Sequence, residues 1–358
     1  MSLKASPTFT ALPTQVIETG EGVILKRGCT EFKISGAGAA EAVKKILARA
    51  GTGGATREDI RNLFEPDAGP IIERLSEQLL NRRLLVPCEE AGSSDAPESS
   101  LDIFYWNFGE TTSRVTERLN RRSLVILGVN GISRQMAVSF AESNVEHVRV
   151  LDHPNLRNLR FFDGAGRVKS DQWPASVKAP QDWSDGLDPR SFDCLIATSD
   201  FGGQEAMREW NAFCIREKRR FLPVVLQDLI GYVGPVVVPG ETACFDCLRI
   251  RRNSQVEEKK RACPIESVAF EGQGTRGVHP VMASIVGNLA AFELIKLYSD
   301  ALPFSTVGTL IEINLLATEV IARKVLKIPR CPTCSPLTTR PSVTPYKPTF
   351  DLPDAGAR

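Results

Sequence analysis

The stretch that decides the fold runs from Ser123 to His153, SLVILGVNGISRQMAVSFAESNVEHVRVLDH. An apolar run, a tight turn, an amphipathic segment and a second apolar run ending in an acid form the layout of a nucleotide-binding βαβ unit. The turn departs from that layout. In G-x-G-x-x-G the glycines let phosphate approach the backbone and let the helix pack close to the strand, and here Asn130 and Ser133 stand where the second and third belong. The fold is kept and the phosphate site is altered, which calls for an explanation from the rest of the chain.

Downstream, SFDCLIATSD and FLPVVLQDLIGYVGPVVVPG read as buried strands around the helix GGQEAMREWNAFCIREKR. Upstream, DIFYWNFGETTSRVTERLNRR reads as an aromatic-led helix feeding the strand at Ser123. This alternation predicts an α/β fold with a mostly parallel, doubly wound sheet. A charged loop beginning near Asn253, a long apolar helix from His279 and a final hairpin, TVGTLIEINLLATEVIARKVLK, complete a domain expected over 101–339, with a tail at 340–358.

Residues 1–87 read as a separate small domain, joined by a polar linker at 88–100, CEEAGSSDAPESS. Three strand-like pieces, TQVIET, GVILKR and TEFKIS, precede three helical ones. The first helix spaces Ala40, Val43, Ile46 and Leu47 on one face, the second is capped by Thr56, and the third repeats Ile71, Leu75 and Leu79. Strands followed by helices in this order predict a winged-helix arrangement. Its third helix mixes Glu73 and Glu77 with Arg74, Arg82 and Arg83, a weak basis for reading DNA. The other use of the shape is to bind a peptide as an added strand. TEFKIS suits that use, with Thr30, Phe32 and Ile34 on one face and Ile72, Leu75 and Gln78 of the third helix expected to select sequence. A plain accessory domain is the remaining reading.

Forty-four basic against forty-three acidic residues give no general attraction to nucleic acid or to an anionic membrane. The N-terminal segment lacks the apolar run of a signal peptide, and the apolar helix from His279 carries Asn288, Glu293 and Lys296, so a cytoplasmic protein that does not span a membrane is expected. In that compartment nine cysteines are poor evidence for disulfides. Four of them form two C-x-x-C pairs, Cys244 with Cys247 and Cys331 with Cys334, the spacing of a four-sulfur structural zinc site. A redox C-x-x-C needs no second pair, and an iron–sulfur cluster is the other alternative.

The sheet, the two cysteine pairs and the order of pieces resemble the ThiF-type activating enzymes, which adenylate a carboxylate with ATP. Against that family's G-x-G-G-x-G turn, D-x-D strand end and N-L-x-R-Q segment, Gly128, Gly131, Asp152, Asn158 and Leu159 match. Asn130, Ser133 and Pro154 do not, and Phe161 replaces the arginine. Asp200 matches the acid that the family uses for magnesium. Within the family, VGPVVVPGETACFDCLRIRR and FYWNFG resemble the ThiF-like partner proteins of thiazole/oxazole-modified peptide pathways. That resemblance implies a PqqD-like leader-peptide-binding domain at the N-terminus and a separate YcaO protein that carries out ATP-dependent cyclodehydration to azolines. It implies a scaffold subunit that uses no ATP itself, and it allows a homodimer. An active adenylating enzyme acting on a peptide or carrier-protein carboxylate is the alternative, and a dinucleotide oxidoreductase, which lacks a hydride-transfer constellation here, ranks below both.

Overall fold

Strand-forming and helix-forming segments separate into two units, 1–118 with 299–303, and 119–298 with 304–358. A computed structural model describes residues 7–89, 99–182, 187–200, 202–227, 229–255, 277–303 and 307–339. Most of the expected linker (90–98), the charged loop with Cys263 (256–276) and the 340–358 tail lie outside these.

The first unit opens with β1 (Phe9–Ala11), β2 (Gln15–Thr19), β3 (Gly22–Arg27) and β4 (Thr30–Ser35). Then come α1 (Ala39–Gly51), α2 (Arg57–Arg61), α3 (Gly69–Asn81) and β5 (Leu85–Pro87). β2, β3 and β4 form an antiparallel sheet in that order, and β1 pairs with β5. The α2 cap is a reciprocal box, with the Thr56 hydroxyl accepting from the Asp59 N–H and the Asp59 carboxylate from the Thr56 N–H. Val23 and Leu25 of β3 bury against Val43, Ile46, Ile60, Ile72, Leu75 and Leu79, each fully buried aliphatic side chain contributing about 1.5–3 kcal/mol. The α3 stripe therefore differs from the one expected: Ile72 is buried and Ile71 is 71% exposed.

The aromatic segment after the linker forms two helices rather than one, α4 (Ser100–Asn107) and α5 (Thr112–Asn120). Gly109, at φ +80°, lies between them. Trp106 of α4 is buried in the core of the first unit and donates its indole N–H to the Arg83 carbonyl at 2.8 Å. Packing thus assigns residues up to Arg118 to the first unit, whereas the sequence places them with the second.

The second unit contains β6 (Leu124–Leu127), α6 (Gly131–Glu142), β7 (Val148–Asp152), β8 (Gln181–Asp182), β9 (Cys194–Ser199), α7 (Gln204–Arg216) and β10 (Arg220–Gln227). It continues with β11 (Ile230–Val233), α8 (Phe245–Gln255), α9 (Pro280–Ser299), β12 (Thr309–Asn314) and β13 (Glu319–Lys324). The sheet order is β13-β12-β11-β10-β9-β6-β7-β8. β8, β7, β6, β9 and β10 run parallel, as the alternating pattern predicts, while β10 to β13 form an antiparallel meander. The chain leaves β6 toward β7 on one side and returns to β9 on the other, so the topological switch point lies beyond the C-terminal ends of β6 and β9. α9 is long and apolar enough to cross a membrane by length and composition, yet 56% of it is buried within the protein. Glu293 on it is 3% exposed and pairs with Lys296.

Candidate functional site

The altered turn sits at the switch point. Gly128, at φ +103°, is irreplaceable there, because a Cβ would lie 2.8 Å from the carbonyl oxygens of Leu156 and Thr198. Asn130 ends the turn in extended conformation as the N-cap of α6 and is completely buried, as is Ser133. Its Oδ1 accepts from the N–H groups of Ile132 and Ser133, each at 3.1 Å. Its Nδ2 donates to the Thr198 carbonyl at 2.9 Å and to Thr198 Oγ1 at 3.0 Å, tying α6 to the end of β9. The Ser133 hydroxyl accepts from the Asn130 N–H at 2.9 Å, and the Gly131 N–H donates to Asp200 Oδ2 at 2.9 Å. In a working phosphate site, amides at a helix N-terminus point at the anion. Here those of Gly131, Ile132 and Ser133 are all taken by the protein's own side chains.

The other matched positions are held in the same way. Asp152, where a ribose-binding acid is expected, makes a two-pronged pair with Arg157, Nε to Oδ1 at 3.0 Å and Nη2 to Oδ2 at 2.6 Å. The Arg157 guanidinium also lies over the Phe162 ring at 4.5 Å. Asn158 donates from Nδ2 to Asp200 Oδ1 at 2.9 Å, so the fold brings Gly131, Asn158 and Asp200 together. Asp200 is 4% exposed, and burial pushes its carboxyl above the ordinary value against the pull of the Gly131 N–H and the Asn158 amide. Phe161, in the arginine's place, is fully buried. Of the nearby cations, Arg134 donates to the Gln172 carbonyl at 2.9 Å and Arg160 stacks on Phe161 at 4.8 Å. His153, buried beside this site against Trp210, is held down to about 4 by desolvation.

The four paired cysteines converge as their spacing predicts. Their sulfurs lie within 4.8 Å of one another, with Cys244 to Cys331 at 3.6 Å, Cys247 to Cys334 at 3.5 Å and Cys244 to Cys247 at 3.9 Å. A tetrahedral ion with metal–sulfur bonds of about 2.3 Å sets its ligands about 3.8 Å apart, and a disulfide needs about 2.05 Å, so the cluster fits a metal ion and holds no disulfide. Cys247 Sγ accepts the Ile328 N–H at 3.4 Å, and the hydrogen bond from the Cys244 thiol, reinforced by this N–H, draws Cys247 down to about 4. Cys244, the donor in that bond, is pushed up, and burial raises Cys334 to about 12. A cation at the centre would oppose the burial that holds Cys244 and Cys334 in the thiol form. Around the cluster, Asp246 holds Arg208 at 2.9 Å and accepts from Thr333, binding the two cysteine segments together. Three of the four cysteines, all but Cys334, lie in the buried core of this unit.

In the first unit, β4 is an edge: among the described residues it pairs with β3 alone. Phe32 and Ile34 turn toward the core, and Thr30 donates its hydroxyl to Asn107 Oδ1 at 3.2 Å. The Arg82 guanidinium lies over the Phe32 ring at 5.6 Å, which sets the end of α3 beside this strand. Ile72 and Leu75, expected to select a peptide's sequence, are 4% and 7% exposed and serve the core instead. Gln78 is exposed. One and two turns before it, Arg74 and Ile71 share its exposed face, and the sequence reading missed both because two adjacent isoleucines allow either phase of the helix.

A ThiF family model matches residues 169–335, a stretch that contains Asp200 and all four clustered cysteines and begins after the altered turn. Protein HesA of Leptolyngbya boryana is 22% identical over 227 residues, 60% of this chain and 73% of its own length. Among solved structures, E. coli MccB with MccA-N7isoASN is similar with a TM-score of 0.63 at 16% identity, covering 91% of this chain and 99% of its own. The heterocyclase TruD gives 0.60 at 20% identity, and a heterocyclase in complex with substrate and cofactor gives 0.58 at 17%. Both match 92% of this chain but only 43% and 40% of their own length.

Proposed function

We propose that this chain, built around a ThiF-type α/β domain, is the leader-binding and scaffold subunit of a cyclodehydratase that converts a ribosomal peptide to azolines. The observation that carries the reading is the altered turn, where Asn130 and Asp200 take the amides that would otherwise cradle phosphate. Phe161, fully buried, fills the position where the family holds a cation for a transferring phosphoryl group, and Arg157 is committed to Asp152. Chemistry on ATP then belongs to another protein, of YcaO type. The heterocyclase chains of similar fold support this division, since their matched portion is less than half of their length.

In this reading the first unit is a PqqD-like winged domain. A leader adds as a strand to β4, and Ile71, Arg74 and Gln78 of α3 face it together with Arg82 at the end of that helix. The four cysteines hold a structural zinc that clamps the C-terminal segment to the sheet. Holding the leader raises the local concentration of the core peptide at the partner's active site, commonly to the millimolar range with a short flexible tether.

The experiment is fluorescence anisotropy of the full chain with the labelled leader of the precursor that co-purifies from the native host. Saturable binding, weakened by proline at Lys33 or Ile34 and indifferent to ATP, supports the reading; binding that survives loss of the first unit sinks it. The second reading, an adenylating enzyme, draws on the retained Gly128, Gly131, Asn158 and Asp200 and on the similar fold of E. coli MccB with AMPCPP and MccA. It requires nucleotide to displace Asn130 and Arg157 from their present partners.

A further inference from the structure

The first unit sorts the charges of α3 by face. Glu73 and Glu77 turn toward α2, where Arg61 lies 4.0 Å and Arg57 3.9 Å away. Ile71, Arg74, Gln78 and Arg82 form the other exposed row, and its Arg82 end lies beside β4. Among the described residues neither Arg74 nor Arg82 pairs with an acid; the Arg82 guanidinium instead lies over the Phe32 ring at 5.6 Å. The charges of β4 itself are answered within its own sheet, Glu31 by Lys26 and Lys33 by Glu21. The groove is thus left with two guanidinium groups that nothing in the unit neutralises.

The edge of β4 has a matching period. The Gly36 N–H donates to the Glu21 carbonyl at 3.1 Å, and bonded pairs alternate along an antiparallel ladder. Phe32 and Ile34 therefore bond to β3, while the N–H and C=O groups of Glu31, Lys33 and Ser35 point outward. A strand added at this edge turns every second side chain to the face that Phe32 and Ile34 share with α3, at intervals of about 6.8 Å. Along α3, Arg74, Gln78 and Arg82 follow one another at intervals of about 6 Å. Over two intervals the rows differ by about 1.6 Å, within the reach of an arginine side chain, so the positions of the added strand that meet Arg74 and Arg82 are four residues apart.

We propose that the peptide this groove takes carries two carboxylates four residues apart on its inner face, one for Arg74 and one for Arg82, with an aliphatic side chain two positions beyond the Arg74 carboxylate, against Ile71. The inference rests on the strand-addition reading above and names the chemistry that the groove selects. Main-chain pairing to Glu31, Lys33 and Ser35 is blind to sequence, and the row on α3 supplies the discrimination. A guanidinium offers a carboxylate a planar fork of donors, and Arg82 is already held over Phe32, so little freedom is lost when it binds. Gln78, between the two arginines, accepts a polar side chain, and the outer face of the peptide is left to solvent. The opposite charges also speed encounter and make the binding weaken with salt.

The test selects random twelve-residue peptides displayed on phage against the full chain and measures the best of them, synthesised and labelled, by fluorescence anisotropy, with thermal unfolding of each variant as a check on folding. The wild type enriches Asp or Glu at two positions four apart, and lysine at either position weakens binding about tenfold or more. Arg82→Glu loses the wild-type peptide by a similar factor and recovers the peptide with lysine at one of those positions; Arg74→Glu recovers the peptide with lysine at the other. Binders that Lys33→Pro weakens but that carry no paired acids, or acids whose replacement by lysine neither charge reversal rescues, overturn the inference and leave strand addition standing. Binders indifferent to Lys33→Pro, or no binders at all, overturn both.

Discussion

Replacing Asn130 by alanine removes the side chain that substitutes for phosphate, and the cost follows from its partners. The residue caps α6, a contribution of about 1 kcal/mol. Its loss leaves the Ile132 and Ser133 amides and the Thr198 carbonyl without their present partners in a fully buried setting. Each such buried group costs about 1–3 kcal/mol, reduced where water enters the vacated space. A total near 3 kcal/mol is expected, which for a unit of this size lowers Tm by roughly 10 °C. Urea and thermal unfolding measure it directly. The freed amides also recreate a modest anion site at the helix N-terminus. Phosphate should therefore stabilise Asn130→Ala and leave the wild type unmoved. A loss below about 0.5 kcal/mol, or equal stabilisation of both proteins by phosphate, would refute the view that Asn130 occupies the phosphate position.

Metal analysis of the purified chain should give one zinc, and Cys331→Ser should lose it and unfold or aggregate, since structural zinc contributes roughly 10 kcal/mol or more in small domains; a folded, metal-free variant would show the clamp to be dispensable. His153, held down to about 4 by burial, is bound by a proton in the unfolded chain before the folded one, so its contribution is complete above about pH 6.5 and is lost as pH falls toward 4. The loss is about 3 kcal/mol at most and should shrink in His153→Gln, as read from unfolding midpoints across that window. On α3, Ile71→Asp should weaken leader binding at least tenfold while leaving Tm within about 1 °C, since the side chain is exposed, whereas Ile72→Asp should unfold the first unit.

The βαβ unit and the four-sulfur cluster were legible in the sequence because each rests on spacing: apolar runs of strand length around a turn, and two C-x-x-C pairs. The departure at Asn130 was legible as well, but its consequence was not. That consequence depends on Thr198 of β9 and Asp200 just beyond its end, some seventy residues away. The Asp152–Arg157 pair is local, yet an arginine five residues after an acid reads equally well as a solvated side chain. Trp106 illustrates the reverse problem. Its helix adjoins the second domain in sequence, and only the indole bond to Arg83 and its burial assign it to the first unit. The antiparallel meander from β10 to β13 escaped a rule based on alternating strands and helices, because the hairpin through Leu229 leaves no room for a crossover helix.

The central claim is that this chain presents a peptide and leaves ATP to a partner. It is tested most directly by measuring ATP consumption and precursor mass loss with the chain, the YcaO-type protein, the peptide and ATP each omitted in turn. The account predicts no ATP turnover by this chain alone, slow dehydration by the partner alone, and a large acceleration when both are present with an intact leader. ATP–pyrophosphate exchange by the isolated chain, abolished by Asp200→Ala, would contradict it.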